Sequence, residues 1–284
     1  MSGGTEILKL NCPDAVGLVA RLTGFVAGCG GNLTEVHQYT DPLSGWFFTR
    51  MQIEPGPGGA EKLRSGLGPI AEELRAKWSL RGAGEALRMV VLASREEHCV
   101  AELLWRKRGG ELRVEIPAVI ANHEDCRGLV EAEGLAFERI EIPAAERDAA
   151  FRRIDERCVA LGAELIVMAR FMQILPDWFC EKWAGRVLNI HHSFLPAFAG
   201  ANPYRQAFER GVKLIGATCH YATAELDAGP IVEQEVMRVE HFHEIGDLKR
   251  IGRDCERLAL ARGVRFYVED RVLVHGARAI VFRD

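Results

Sequence analysis

The N-terminal part of the chain alternates between short apolar runs, as in strands, and segments in which apolar residues recur every three or four positions, as in helices. In chain order, the pattern predicts a strand at 7–10, a helix at 16–26, strands at 32–39 and 45–53, a helix at 61–77 and a strand at 78–81. This βαββαβ order is typical of a ferredoxin-like domain, in which two helices cover one face of a four-stranded antiparallel sheet.

The pattern changes after the Gly-containing stretch 81–85. Short apolar runs rich in β-branched residues follow, with helical segments between the first three, at 87–93, 114–121, 164–169 and 187–190. This order predicts an open, mostly parallel α/β sheet. We therefore predict two domains, residues 1–82 and 83–284, and we expect ligands to bind beyond the carboxyl ends of the strands of the second domain.

Composition narrows the class of protein. The 284 residues are 48% hydrophobic and 27% charged, which is typical of a globular chain, and a net charge of −4 provides no general attraction to nucleic acid or to an anionic membrane. The sequence shows no targeting signal and no apolar stretch long enough for a bilayer span. Eight cysteines stand singly without a CxxC pair, which favours reduced thiols in a cytoplasmic protein over a zinc ribbon or a disulfide framework.

Two polar clusters follow strands of the second predicted domain. Asn189 and His191 are two residues apart at the end of a strand, so their side chains project to the same side of it. The Asn amide and a protonated His can both donate hydrogen bonds to a carbonyl oxygen that gains negative charge, and the His can also pass a proton. Downstream, Asp227 follows His220 in a loop, where its carboxylate can keep an imidazole charged or activate a water.

These clusters resemble the motifs of the 10-formyltetrahydrofolate formyltransferase superfamily, through Asn189-Ile190-His191, Ser193, Leu195-Pro196, His220 and Asp227-Ala228-Gly229. The resemblance implies that Asn189, His191 and Asp227 are catalytic, that His192 and His220 lie beside them, and that folate is the substrate with no metal or further cofactor. The residues that it implies for folate binding are Phe171, Met172, Gln173, Leu175, Thr223, Ala224, Glu225 and Leu226.

Two further stretches distinguish among members of the superfamily. Glycinamide ribonucleotide transformylase carries a Gly-rich loop for the substrate phosphate after its first strand, whereas residues 93–98 here contain Glu96 and Glu97 and no glycine. Residues 11–20 and 31–33 resemble the start of an ACT domain, and an ACT-like domain before such a catalytic domain resembles the formyltetrahydrofolate deformylases. Asn202 and Ala228 depart from the deformylase pattern and leave the tuning of the substrate site open.

The deformylase resemblance implies hydrolysis of 10-formyltetrahydrofolate to formate and tetrahydrofolate, an amino-acid effector at the ACT-like domain, and a homo-oligomer. Two other functions remain open at this point. One is a formyltransferase that uses the same three residues to deliver the formyl group to an amine. The other is a catalytically silent amino-acid sensor.

Simpler interpretations of the same residues also remain open. Asp227 is compatible with a plain turn residue, and apolar runs such as 171–175 more often belong to a core than to a ligand site. Gly17 and Asn32 suit helix packing and a turn as well as an effector site. A metal cluster of His191, His192, His220, His241 and His243 is disfavoured because these residues lack a ligand spacing such as HxxxH.

Overall fold

The computed structural model describes residues 4–196 and 203–283. Asn202 lies outside the described residues, as does the part of the deformylase-like motif at 197–201. The described chain divides into two compact units. One contains residues 4–85, 269–275 and 280–283, and the other contains residues 86–268 and 276–279.

The N-terminal unit has the predicted ferredoxin-like fold. Its elements are β1 (Glu6–Pro13), α1 (Leu18–Gly28), β2 (Asn32–Asp41), β3 (Trp46–Glu54), α2 (Gly59–Glu73) and β4 (Lys77–Gly82). The strands pair antiparallel in the order β2-β3-β1-β4, and side chains of both helices share one core with β1 and β3. The predicted end of α2 at residue 77 was wrong: the helix ends at Glu73, Arg75 takes a left-handed conformation with φ 52°, and Lys77 already lies in β4.

Gly17 and Asn32 have structural roles in this unit. Gly17 precedes α1 with φ 88°, a conformation that strains other residues, and the Asn32 side chain donates a hydrogen bond to Glu54. These observations account for both residues without an effector.

The C-terminal end of the chain belongs to the N-terminal unit, although the sequence assigned all of 83–284 to one domain. The last strands are β13 (Val272–His275) and β14 (Arg278–Val281). Leu273 packs in one cluster with Phe48, and Asp270 pairs with Lys9 Nζ at 2.9 Å and with Arg81 Nε at 2.8 Å. Pairing between residues so distant in sequence leaves no local hydrophobic pattern, which explains why the predicted second domain was too long.

The second unit is built on the predicted open sheet. Its elements are β5 (Leu87–Ala93), α3 (His98–Arg108), β6 (Val114–Glu115), β7 (Ala118–Ala121), α4 (Arg127–Ala132), β8 (Ala136–Arg139), α5 (Arg147–Ala160), β9 (Leu165–Ala169), α6 (Asp177–Lys182), β10 (Val187–His191), α7 (Pro203–Arg210), β11 (Leu214–Tyr221), β12 (Ile231–Arg238) and α8 (Ile245–Val268), with a short 3-10 helix at Ala144–Glu146. Strands β10, β9, β5, β7 and β8 are parallel neighbours, whereas β11 and β12 continue the sheet antiparallel. This arrangement confirms the prediction of a mostly parallel sheet.

The run 114–121, predicted as one strand, is interrupted. It contains β6, which pairs with the start of β5, and β7, which pairs with the end of β5. Pro117 stands in the gap and has no backbone N–H to donate to a neighbouring strand, so the ladder is not continuous there.

Helix α8 crosses the sheet next to the strands that carry the second polar cluster. At Gly263 it approaches β11 so closely that a Cβ atom would lie 2.4 Å from Cys219 Sγ and 3.0 Å from Cys219 Cβ. The absence of a side chain at Gly263 therefore sets the distance between α8 and β11. Although α8 has 24 residues, no helix within 4–196 and 203–283 combines the length and the apolar character needed to cross a bilayer.

We expect Gly263→Ala to lower the free energy of unfolding by about 1–3 kcal/mol, because the added methyl group overpacks the contact with Cys219. The matched control is Gly246→Ala in the first turn of the same helix, where a Cβ meets nothing within 4 Å, so no overpacking results. Urea denaturation of both variants checks this, and equal stability of the two would contradict it.

Candidate active site

The register of three neighbouring strands gathers the predicted catalytic residues. Asn189 on β10 pairs with Met168 on β9, which is parallel, and with His220 on β11, which is antiparallel. His191 lies two residues further along β10, and Asp227 is in the loop between β11 and β12. The site therefore forms where β9 and β10 end, as expected for an open α/β sheet.

The three predicted catalytic side chains converge. His191 Nδ1 lies 3.3 Å from Asp227 Oδ1, and Asn189 Nδ2 lies 3.1 Å from His220 Nε2. His220 Nε2 is in turn 3.7 Å from Asp227 Oδ1. One carboxylate, one amide and two imidazoles thus face one another in a single cluster.

His220 fixes the orientation of the Asn189 amide. Its Nδ1 lies 2.9 Å from the carbonyl oxygen of Tyr221, which can only accept, so Nδ1 carries the proton. Burial lowers the pKa of His220, which keeps the ring neutral and leaves Nε2 as an acceptor. Asn189 Nδ2 therefore donates to Nε2, and the amide lies on the cavity wall.

Asp227 is held as an ionised carboxylate in a strained conformation. The hydrogen bond from His191 is the largest of the effects on its pKa, which lies below the ordinary value even though burial acts in the opposite direction. Its backbone has φ 56°, a left-handed conformation that non-glycine residues rarely adopt and that often occurs at functional sites. The loop thus holds the carboxylate against His191 at a conformational cost.

His191 has one ring nitrogen without a partner. Because Asp227 Oδ1 can only accept, Nδ1 of His191 is the donor in their contact. Nε2 is buried and has no hydrogen-bond partner among the described residues. His191 lines a large cavity, so this nitrogen is available to a bound molecule.

The cavity has a volume of about 880 Å³, which suits a ligand of the size of a cofactor. All five residues of the predicted catalytic cluster line it, namely Asn189, His191, Asp227, His192 and His220. Of the residues predicted to bind folate, those that line it are Met172, Gln173, Leu175, Thr223 and Leu226.

The other three residues predicted to bind folate, Phe171, Ala224 and Glu225, are not part of the described lining. Phe171 is 1% exposed and packs edge-on against Phe151 in the hydrophobic core, so its assignment to the ligand site was wrong. The backbone explains the change of direction, because Arg170 and Met172 on either side have φ 59° and 58°. Ala224 and Glu225 are exposed members of the loop that carries Thr223 and Leu226.

The sequence did not reveal a second cluster on the cavity wall. Glu256 of α8 is 1% exposed, and its carboxylate accepts hydrogen bonds from His98 Nε2 at 2.7 Å and from Tyr204 Oη at 2.6 Å. Arg170 Nε lies 3.2 Å from the same carboxylate. Burial alone would raise the pKa of Glu256, but His98, Arg170 and Tyr204 together outweigh it and lower that pKa. The only signal in the sequence was the position of Arg170 directly after β9.

His98, Cys99 and Glu256 place three potential metal-ligand atoms within 4.8 Å of one another, and no other such group occurs in the described part of the chain. The Glu256 carboxylate already accepts two hydrogen bonds, and burial raises the pKa of Cys99 well above its ordinary value, so the thiol stays neutral. The group therefore suits a hydrogen-bonded network better than a metal site, which needs deprotonated ligands. His241 and His243, the other members of the disfavoured histidine cluster, are not among the residues that line the cavity.

Comparison with known proteins agrees with this geometry. A family model described as formyl transferase matches residues 87–264. A formyltetrahydrofolate deformylase of Bacillus subtilis is 44% identical over 97% of this chain and 93% of its own length. A crystal structure of a formyltetrahydrofolate deformylase from Pseudomonas syringae superposes with a TM-score of 0.96 and is 46% identical in sequence. The match covers 99% of this chain and 95% of the chain in that structure. The chain belongs to the formyltetrahydrofolate deformylase family.

The matches to the deformylases cover more of this chain than the match to a transferase does. The crystal structure of glycinamide ribonucleotide transformylase 1 from Symbiobacterium toebii is 31% identical with a TM-score of 0.66, and it covers 72% of this chain and 97% of its own. Both deformylases match at least 97% of this chain. The resemblance to the formyltetrahydrofolate deformylases is therefore confirmed over nearly the whole chain.

We expect His192→Gln to weaken the acid sensitivity of this deformylase-family fold. Burial, followed by the charge of Arg170, lowers the pKa of His192 from its ordinary 6.5 to about 4. Between these values the unfolded chain binds a proton at His192 that the folded chain does not. The contribution of neutral His192 to the free energy of unfolding is therefore complete above pH 6.5 and is lost as the pH falls toward 4. The loss amounts to at most about 3 kcal/mol. Melting temperatures from pH 7 to pH 4 should fall less for the variant, and parallel curves would contradict this.

Proposed function

We propose that this chain hydrolyses 10-formyltetrahydrofolate to formate and tetrahydrofolate. The observation that carries the proposal is the convergence of Asn189, His191 and Asp227 in one cavity, where His191 Nε2 has no hydrogen-bond partner among the described residues. Membership of the formyltetrahydrofolate deformylase family supports the substrate and the reaction.

In the proposed mechanism, Asp227 and His191 position a water and His191 Nε2 takes its proton. The resulting hydroxide attacks the formyl carbon, and Asp227 stabilises the imidazolium, which lies 3.3 Å away. The carbonyl oxygen becomes an oxyanion, to which Asn189 Nδ2 and the protonated His191 donate hydrogen bonds. The C–N bond then breaks, a proton passes to N10, and the products are tetrahydrofolate and formic acid, which ionises to formate. The mechanism requires no metal.

The apolar part of the lining suits the ring system of folate. Met172, Leu175 and Leu226 offer apolar surface, and Gln173 and Thr223 offer polar groups that can orient a heterocycle. Leu226 directly precedes Asp227, so a ring that packs on this loop also lies near the carboxylate. We propose these five residues as the folate-binding set.

The N-terminal unit is proposed as a regulatory domain that binds an amino-acid effector. Its ferredoxin-like topology and its ACT-like motif support this role. We also propose a homo-oligomer, because β2 is an edge strand on which Val36 and Tyr39 are 41% and 37% exposed. A cytoplasmic location is proposed from the eight cysteines, which are all buried and unpaired.

The decisive experiment incubates the purified protein with 10-formyltetrahydrofolate without any amine and measures formate and tetrahydrofolate. We expect both products in equal amounts. Turnover that appears only after an amine is added would instead identify a formyltransferase, which uses the same three residues. Stoichiometric folate binding without turnover would identify a sensor.

Asn189→Ala should lower the turnover number by roughly 100- to 1000-fold, which is the usual cost of removing one oxyanion donor. The fold should persist, since one hydrogen bond, the one to His220, is lost among the described residues. Steady-state kinetics measure the loss, while circular dichroism and tetrahydrofolate binding serve as controls. Near-normal turnover would remove Asn189 from the proposed mechanism.

A further inference from the structure

Arg170 lies beside the catalytic cluster on the neighbouring strand. It follows β9 directly, two residues after Met168, and Met168 pairs with Asn189 in parallel register. His191 is likewise two residues after Asn189, so the two strands carry Arg170 and His191 to the same edge of the sheet. Both side chains line the same cavity.

The guanidinium of Arg170 is buried with hydrogen-bonding capacity to spare. The side chain is 13% exposed, and its Nε and Nη1 atoms are buried without a hydrogen-bond partner among the described residues. Glu256 lies 3.2 Å from Nε and balances the charge, but its oxygens already accept hydrogen bonds from His98 and Tyr204. Buried donors without partners are costly, and Arg170 lines the cavity, so its guanidinium is suited to a ligand.

The backbone holds Arg170 in this position against its conformational preference. Arg170 has φ 59°, in the left-handed region that residues other than glycine rarely adopt. This turn directs Phe171 into the core and leaves Arg170 on the cavity wall. The ion pair with Glu256 and the core packing of Phe171 together hold Arg170 in place on the cavity wall.

We propose that Arg170 binds the carboxylate formed from the formyl carbon, so that the cavity wall beside His191 contains a subsite for formate. The inference rests on the proposed function. Hydrolysis converts a neutral formamide into an oxyanion and then into formate, and these are the species in the reaction that a fixed guanidinium favours over the substrate. A guanidinium donates charge-assisted hydrogen bonds to a carboxylate, and these are stronger than hydrogen bonds between neutral groups.

The surroundings restrict the subsite to a small anion. Glu256 and Tyr204 line the same wall, and Glu96, which pairs with Arg253 at 3.3 Å, also lines the cavity. Arg205, Lys249 and Arg253 also line the cavity, but the Glu256 carboxylate lies 3.2 Å from Arg170 Nε and repels a highly charged group at this guanidinium. A singly charged ion of three heavy atoms meets less repulsion there.

Equilibrium binding of carbon-13-labelled formate, followed by NMR line broadening, tests the proposal without any turnover. Arg170→Met should weaken formate binding by about tenfold or more, because charge-assisted hydrogen bonds are lost. Arg170→Lys should give an intermediate affinity, since Lys keeps the charge and loses the planar fork. The control is Arg152→Met, where a side chain that is 63% exposed pairs with Asp148 on the surface of the same unit.

Tetrahydrofolate affinity separates a formate subsite from a general structural role. We expect it to stay within about twofold of wild type in Arg170→Met and Arg170→Lys, while inhibition of the reaction by added formate weakens in parallel with formate binding. Unchanged formate affinity in Arg170→Met would overturn the proposal, as would an equal loss of formate and tetrahydrofolate affinity. A wild-type protein that releases no formate from 10-formyltetrahydrofolate would refute the proposed function itself, which is a different outcome.

Discussion

Strand β10 pairs parallel with β9 on one side and antiparallel with β11 on the other, and the site depends on these two pairings. Parallel pairing with β9 brings Arg170 to the end of the sheet that carries His191. Antiparallel pairing with β11 places His220 opposite Asn189. The loop after β11 begins beside Val187, at the start of β10, and folds back so that Asp227 reaches His191. A shift of one residue in either register would turn Asn189 and His191 to the other face. The backbone ladder therefore determines which side chains meet.

Burial and hydrogen bonding give the ionisable side chains of this site the different protonation states that the proposed mechanism needs. His192 and His220 remain neutral because desolvation disfavours their charged forms, whereas Asp227 stays ionised because His191 donates to it. Neutral His220 orients the amide of Asn189, and in the proposed mechanism it acts on the reaction through that amide. The cluster thus contains both residues that contact the substrate in the proposed mechanism and residues that position them.

The local pattern of the sequence was sufficient for the fold class and for the residues near strand ends. Period-two and period-3.6 patterns predicted both sheets, and the position of Asn189 and His191 after a strand placed them at the cavity. Phe171 was misassigned because an apolar residue after a strand is equally compatible with a core and a ligand site, and the left-handed backbone at Arg170 decided between them. Asp270 was assigned to the wrong unit because its partners, Lys9 and Arg81, are distant in sequence.

Glu256 shows why a buried acid can escape a sequence-based search and still shape a reaction. On α8 it occupies a buried position in an amphipathic helix, where a single carboxylate has no local signature. Leaving such a charge without partners would be strongly destabilising, so His98, Tyr204 and Arg170 must all approach it. Because Gly252 lacks a side chain, the Tyr204 ring can pack against α8 where a Cβ atom would lie 2.1 Å from Tyr204 Oη. The need to satisfy Glu256 therefore holds His98 and two residues of the cavity lining, Tyr204 and Arg170, in place.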